Sequence, residues 1–321
     1  MPPFEITSES IRLLAEIERS LGRYEGLHRP RPAPQLRKSL RVRTVQSSVA
    51  IEGNTLTEEQ ITALLDGRRV VGPPREILEA QNALAAYEQL PDWNPASRDD
   101  MLAAHGVLMT DLIKRAGKWR RGNVGVLQGT RVAHIAPPAN RVASLVSDVL
   151  EFQKTDTQTH PAVKAAVVHY ELEFSHPFED GNGRIGRLWH TLILSGYHPV
   201  FLHVPIESVT RERQADYYTV LRKCDQAGSS TAFVEFSLNA THEALQRTLA
   251  ELAPSPVTPD QRLDAASEHF QTRTFSRKEY LALFPGLSTA SASRDLRKAV
   301  DENRVQKSGD KAQTVYQFAR D

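Results

Sequence analysis

The chain's 321 residues are 40% hydrophobic and 25% charged, the make-up of an ordinary soluble globular protein, which excludes a disordered or fibrous one. That length suits two domains, or one large domain with an appendage. A formal net charge of +1 excludes bulk electrostatic attraction to nucleic acid, and a single cysteine, Cys224, excludes an internal disulfide framework and a cysteine-rich zinc site.

Most of the chain up to about residue 250 reads as helix, because apolar residues recur at spacings of three and four between breaks marked by proline or glycine. The pattern predicts helices near 6–24, 35–51, 57–66, 75–90 and 97–113, then 140–154, 161–175, 182–195, 208–223 and 229–252. The expected fold class is therefore mainly α. Thr57-x-x-Gln60 has the form of a capping box, in which each side chain satisfies a backbone amide at a helix start. Gly122 to Ile135 breaks the helical pattern: Val124 and Val126 precede Gln128-Gly129-Thr130 and Val132 follows, which predicts a small β-hairpin. Pro254, Pro256 and Pro259 mark a linker over 254–260, with a second domain over 261–321. The N-terminal Met1-Pro2-Pro3-Phe4-Glu5 has no basic or apolar signal region, and no uncharged apolar stretch reaches the ~18 residues of a membrane span. A cytoplasmic location with no membrane partner is expected.

The most informative stretch is His176-Pro177-Phe178-Glu179-Asp180-Gly181-Asn182-Gly183-Arg184-Ile185-Gly186-Arg187. Pro177 disfavours helical geometry at His176, so the imidazole should sit at a helix end and face a loop. Gly181 and Gly183 allow a tight turn that aims consecutive N–H groups at one anion, and the following helix adds the positive end of its dipole. Arg184 and Arg187, three residues apart, share a helix face and can hold further phosphate oxygens. Asp180 supplies an oxygen ligand suited to Mg²⁺ that is also held by substrate phosphates.

These residues resemble the signature of the Fic family, His-Pro-Phe-x-(Asp/Glu)-Gly-Asn-Gly-Arg-x-x-Arg, and match it at every fixed position. The resemblance spans about residues 36 to 240, where Ser208 and Tyr217-Tyr218-x-x-Leu221 also resemble the helix after the signature. It implies a helical Fic fold with the hairpin as a flap, an N-terminal helical region over 1–95 and a catalytic core over 96–253. The implied activity is protein adenylyltransfer: a Ser, Thr or Tyr hydroxyl of a target protein attacks the α-phosphorus of ATP, and pyrophosphate leaves. His176 would be the general base and Asp180 the ligand of Mg²⁺ or Mn²⁺. Phe178, Gly181, Asn182 and Gly183 would form the nucleotide-binding loop, with Asn182 and the glycine amides on the α-phosphate. Arg184 and Arg187 would hold the outer phosphates. A Doc-like kinase is disfavoured by Gly183, where those relatives carry Lys. Transfer of another nucleotide or of phosphocholine, and a DNA-binding regulator that uses the nucleotide site as a sensor, stay open.

Ser48-Val49-Ala50-Ile51-Glu52-Gly53 matches the family's inhibitory pattern, (Ser/Thr)-x-x-x-Glu-(Gly/Asn), and implies an N-terminal autoinhibitory helix in which Glu52 grips Arg187. By local rules Glu52 is poorly placed, in a last helical turn where the dipole disfavours a negative charge. Removal of AMP from modified targets is a further implied activity. From about residue 260 the pattern resembles a winged helix. Ser276-x-x-Glu279 caps one helix, Ser288 starts another that runs to about Val300, and strands are expected at Arg304–Gln306 and Thr314–Phe318. From Thr272 onward ten Lys or Arg face six Asp or Glu, and Arg294, Arg297 and Lys298 should lie near one another on the second helix. DNA phosphates, a protein partner or a second copy in a homodimer are the candidate occupants of 261–321.

Overall fold

Helix boundaries fall where side chains or special backbone angles can close the unpaired groups that every helix end leaves. The computed structural model describes residues 3–26, 33–128, 131–252, 258–310 and 313–319, with backbone alone over 126–128 and 131–134. The chain divides into two units, Met1–Leu252 and Ala253–Asp321. Met1, Pro2, Gly129, Thr130, Pro254 and Pro256 lie outside the described residues. No helix among the described residues is long and apolar enough to cross a membrane.

In the first unit α1 (Ser8–Gly26) is followed by α2 (Pro34–Ile51), α3 (Glu58–Leu65), α4 (Pro74–Gln89) and α5 (Arg98–Met109). The capping box at Thr57 forms: its hydroxyl accepts from the Gln60 amide, and Gln60 accepts from the Thr57 amide. α5 stops short of the expected Ile113, because Asp111 turns into the left-handed region at φ 58°. The hairpin forms as β1 (Gly125–Gln128) and β2 (Arg131–Ile135), antiparallel with a register shift between Val126 and Leu127. Then come α6 (Val142–Thr155), α7 (Pro161–Ser175) and α8 (Asn182–Tyr197). The single helix expected over 208–223 is two, α9 (Ile206–Glu212) and α10 (Gln214–Ala227), before α11 (Thr231–Leu252). Arg213 breaks the run at φ −110°, with its guanidinium bonded to Asn239 (2.6 Å) and to Glu243.

α7 and α8 form the centre and are buried almost all round, as a core helix pair must be. Gly186 brings them close: a Cβ there would lie 2.8 Å from the His169 ring. α1 to α5 share one apolar core with α6 to α9 and α11, within one compact unit.

The second unit opens with α12 (Pro259–Phe270), so Pro259 starts a helix rather than closing a linker. Thr258 and Gln261 form its capping box. β3 (Phe275–Ser276), α13 (Arg277–Leu283), α14 (Thr289–Asp301), β4 (Val305–Ser308) and β5 (Val315–Phe318) follow, and the strands pair antiparallel in the order β3-β5-β4. Phe270 and Phe275 stack at 4.2 Å in a separate core with Tyr280, Leu296 and Phe318. Arg294, Arg297 and Lys298 all lie on α14; Lys298 also pairs with Asp260 of α12 at 2.8 Å, while the two arginines are exposed. Asp295 is 3% exposed and accepts from Arg262 Nε (2.7 Å) and Nη2 (3.0 Å) and from the Tyr280 hydroxyl (3.3 Å).

Removing one partner of a buried pair leaves the other charge uncompensated, typically at a cost of ~3–5 kcal/mol. Asp295→Ala should therefore lower the stability of the second unit by about 3 kcal/mol, and the double change with Arg262→Met should recover much of that loss. Hydrogen exchange across residues 259–318 measures both variants; equal protection in wild type and Asp295→Ala would show that the pair contributes nothing.

Candidate active site

α7 ends at His176, whose amide still bonds the Leu172 carbonyl at 3.0 Å while its backbone turns left-handed at φ 45°. Such a conformation is uncommon for a residue with a Cβ and needs support from its surroundings. Arg120, 3% exposed, supplies it. Its guanidinium donates to the carbonyls of His176 (2.7 Å), Gly122 (2.8 Å), Ser175 (3.3 Å) and Pro137, and its amide donates to Pro177 O at 2.9 Å. One side chain thus pins the end of α7 to the base of the hairpin.

The loop between α7 and α8 closes on itself. Asn182 accepts from the Phe178 amide at 2.8 Å and donates to the Phe178 carbonyl at 3.0 Å. Gly181 sits at φ 82°, and a Cβ there would lie 2.6 Å from Met109 Sδ, so glycine is required on both counts. Its amide donates to Asp180 Oδ1 at 2.7 Å. The Phe178 ring is wholly buried, stacked on His105 at 3.6 Å and an interplanar angle of 5°. Phe178 presents no ring to a ligand, and the Asn182 carboxamide and Gly181 amide bond within the turn. A tight turn that excludes water must close its own polar groups.

What remains open to an anion is the first turn of α8, where the amides of Asn182, Gly183 and Arg184 have no intrahelical acceptor. Arg184 is buried, paired with Glu79 and with Asp180 Oδ1 (3.1 Å). Arg187, 3% exposed, donates from Nη2 to Ser48 O (2.9 Å) and Glu52 Oε1 (2.7 Å), and from Nε to Ser48 Oγ (3.3 Å). Glu52 caps the C-terminus of α2, and Gly53 follows at φ 95°. A Cβ built on Gly183 would overlap Glu52 Oε1 and lie 2.9 Å from Arg187 Nη1. The Glu52 carboxylate therefore rests on the first turn of α8, where an anion is best stabilised.

His176, Asp180, Gly183, Arg184 and Arg187 thus gather around one helix N-terminus, with Ser48 and Glu52 brought in from α2. Among the described residues no three His, Cys, Asp or Glu side chains group as a metal site. Asp180 offers a single carboxylate, 43% exposed, whose Oδ2 has only exposed Arg75 nearby at 3.5 Å. That fits a Mg²⁺ ion that takes its other ligands from phosphates and water. Sequence reasoning missed Arg120, Glu79 and His105, since nothing local marks a surface-type residue that the fold buries.

His105 lies beneath the loop: Nδ1 accepts from the Gly117 amide (3.0 Å), so the proton is on Nε2, which donates to Asp180 O (2.9 Å). Burial pushes its pKa down to about 4, against the pull of the Asp180 carbonyl. The unfolded chain, near the usual ~6.5, binds that proton first, so the stability that neutral His105 contributes is full above about pH 6.5 and is lost as pH falls towards 4. His105→Gln should destabilise most at pH 7.5, with the deficit shrinking by up to ~1.4 kcal/mol per pH unit below 6.5. Chemical denaturation of both proteins at pH 7.5, 6 and 5 measures this; a deficit independent of pH would mean that His105 is not held neutral.

Residues 95–194 match the model of the Fic/DOC family. The chain is similar to protein adenylyltransferase fic-1 of Caenorhabditis briggsae, 30% identical over 226 residues, which are 66% of this chain and 42% of that protein. It spans only 40% to 52% of the curated relatives' own length. The structure resembles Fic-1 (aa134–508) from C. elegans, with a TM-score of 0.62 and 26% identity over 76% of this chain and 73% of that one. It also resembles a Fic family protein from Desulfovibrio desulfuricans G20, with a TM-score of 0.76. The match to that protein is 38% identical over 99% of this chain and 98% of its counterpart, so the chain belongs to the Fic/DOC family.

Proposed function

We propose that the protein is an adenylyltransferase that moves AMP from ATP to a hydroxyl side chain of a target protein and is restrained by Glu52. The observation that carries this reading is the open first turn of α8, which lies between His176 at the end of α7 and the two buried arginines. The α-phosphate is held at that turn by the Gly183 and Arg184 amides and the helix dipole. Arg184 and Arg187 take the outer phosphates, which become the leaving pyrophosphate. His176 removes the proton as the target hydroxyl attacks the α-phosphorus. Mg²⁺ at Asp180 would neutralise charge on the leaving group. A two-stranded hairpin has an outer edge on each strand, which suits an extended target segment that adds as a further strand.

Restraint follows from the same geometry. While Glu52 holds Arg187 and covers Gly183, the γ-phosphate lacks its arginine and the triphosphate cannot lie in line for attack. Gly183 leaves room for this contact, because any side chain there would collide with Glu52.

ATP labelled at the α or the γ position separates the readings. Glu52→Gly should raise α-label transfer to protein at least tenfold over wild type, and adding His176→Ala should lower it by ~10²–10⁴ while ATP binding survives. Adding Arg187→Ala instead should cancel the gain. Transfer of the γ label would make the enzyme a kinase, and an unchanged rate in Glu52→Gly would remove the restraint.

A further inference from the structure

We propose that a pocket along the first half of α2 binds a small molecule with an anionic head and an apolar body, and that its occupant holds α2 where Glu52 grips Arg187. The pocket has a volume of about 340 Å³ and lies between α2, the end of α4 and the segment Phe201–His203. That is within the ~300–1,000 Å³ usual for small-molecule sites.

Its cations come from α2: Arg37, Lys38 and Arg41 line it, against one carboxylate, Glu88. The cations are weakly met. Arg41 Nη2 donates to Leu84 O at 3.1 Å and lies 3.7 Å from exposed Glu88, while Arg41 Nε is buried with no hydrogen-bond partner among the described residues. Arg37 forms no ion pair with a described residue, and Lys38 pairs with Asp66 outside the pocket. Its accessible apolar lining comes from Leu65, Pro91 and Leu202, the last 38% exposed at the rim. A carboxylate or phosphate on a compact apolar group satisfies both walls; a free inorganic anion satisfies only one.

The pocket touches the hydrogen bonds that secure Ser48. Arg37, Arg41, Thr44 and Ser48 recur at spacings of four, three and four, so they form one stripe along α2. Thr44 lines the pocket and Ser48 holds Arg187. Tyr87 and Thr191 also line it, and both donate to Glu207 Oε1, at 2.7 and 3.2 Å. The Tyr87 hydroxyl in turn reaches Ser48. The pocket is formed in the state in which Glu52 and Arg187 are joined, and a ligand stabilises the state it binds. On this proposal the occupant is a co-inhibitor, and its preference for the joined state is what the exchange and transfer measurements below decide. That regulatory half rests on the proposed transferase activity; the binding half does not.

Phenyl phosphate is a suitable probe, with inorganic phosphate as the head alone and benzyl alcohol as the body alone, titrated calorimetrically into the full chain without nucleotide. Phenyl phosphate should bind more tightly than either. Arg37→Glu, which disturbs no described partner, and Arg37→Ala with Arg41→Ala should each weaken it tenfold or more, while Arg184→Ala should not. Hydrogen exchange of the 44–52 amides should slow severalfold on binding. Loss of binding in Arg184→Ala alone would put the probe at the first turn of α8 and overturn the site, as would equal binding of benzyl alcohol. Unchanged or faster exchange over 44–52 would overturn the coupling. With labelled ATP, phenyl phosphate should lower the residual transfer of wild type but not that of Glu52→Gly, and equal inhibition of both would overturn the regulatory role. If no chain transfers label, the activity reading fails while binding and exchange still decide the pocket.

Discussion

Arg187 carries a full charge almost completely out of water, and much of the architecture around α8 keeps that charge paired. An arginine in such a place cannot discard its proton, so it must be surrounded by acceptors. It finds them on α2, in the Ser48 carbonyl and the Glu52 carboxylate. The contact also answers the poor placement of Glu52 at a helix C-terminus. The carboxylate lies between the negative end of α2 and the positive end of α8, and the second, together with Arg187, outweighs the first.

The remainder of the site is held by the protein's own contacts. The Asn182 clasp on Phe178, the ring stack of Phe178 on His105, and Arg120 beneath His176 fix the loop from three sides. Donors held in place before a charge develops need no reorganisation when it does, which is the physical basis of electrostatic catalysis. The loop closes its own polar atoms and leaves the next turn of helix for the anion. On the proposed function the division is economical: side chains shape the cradle, and backbone amides with two arginines hold the phosphates.

Much of this was legible because the chemistry is local. Twelve consecutive residues from His176 to Arg187 carry the turn, the helix start and both arginines, and Ser48 to Gly53 carries the restraint, so spacing alone relates their parts. The capping boxes at Thr57 and Ser276 were readable for the same reason. Arg120 was not, since its partners at His176 and Ser175 are more than fifty residues away and nothing near it distinguishes it from a surface arginine. Glu79 pairs with Arg184 across 105 residues of chain. β3 is two residues long and exists only through its pairing with β5.

The clasp between α2 and α8 is asymmetric in a way that bears on heredity. On the α8 side, Gly183 and Arg187 serve both the restraint and the proposed grip on nucleotide, so a mutation there damages both together. On the α2 side, Glu52 and Ser48 serve only the proposed restraint. On that reading, loss of control is genetically separable from loss of activity in α2 and not in α8. Unrestrained variants that arise in a population should carry their changes in α2, and second-site revertants that rescue a cell from them should map to α8 or to the His176 end of α7.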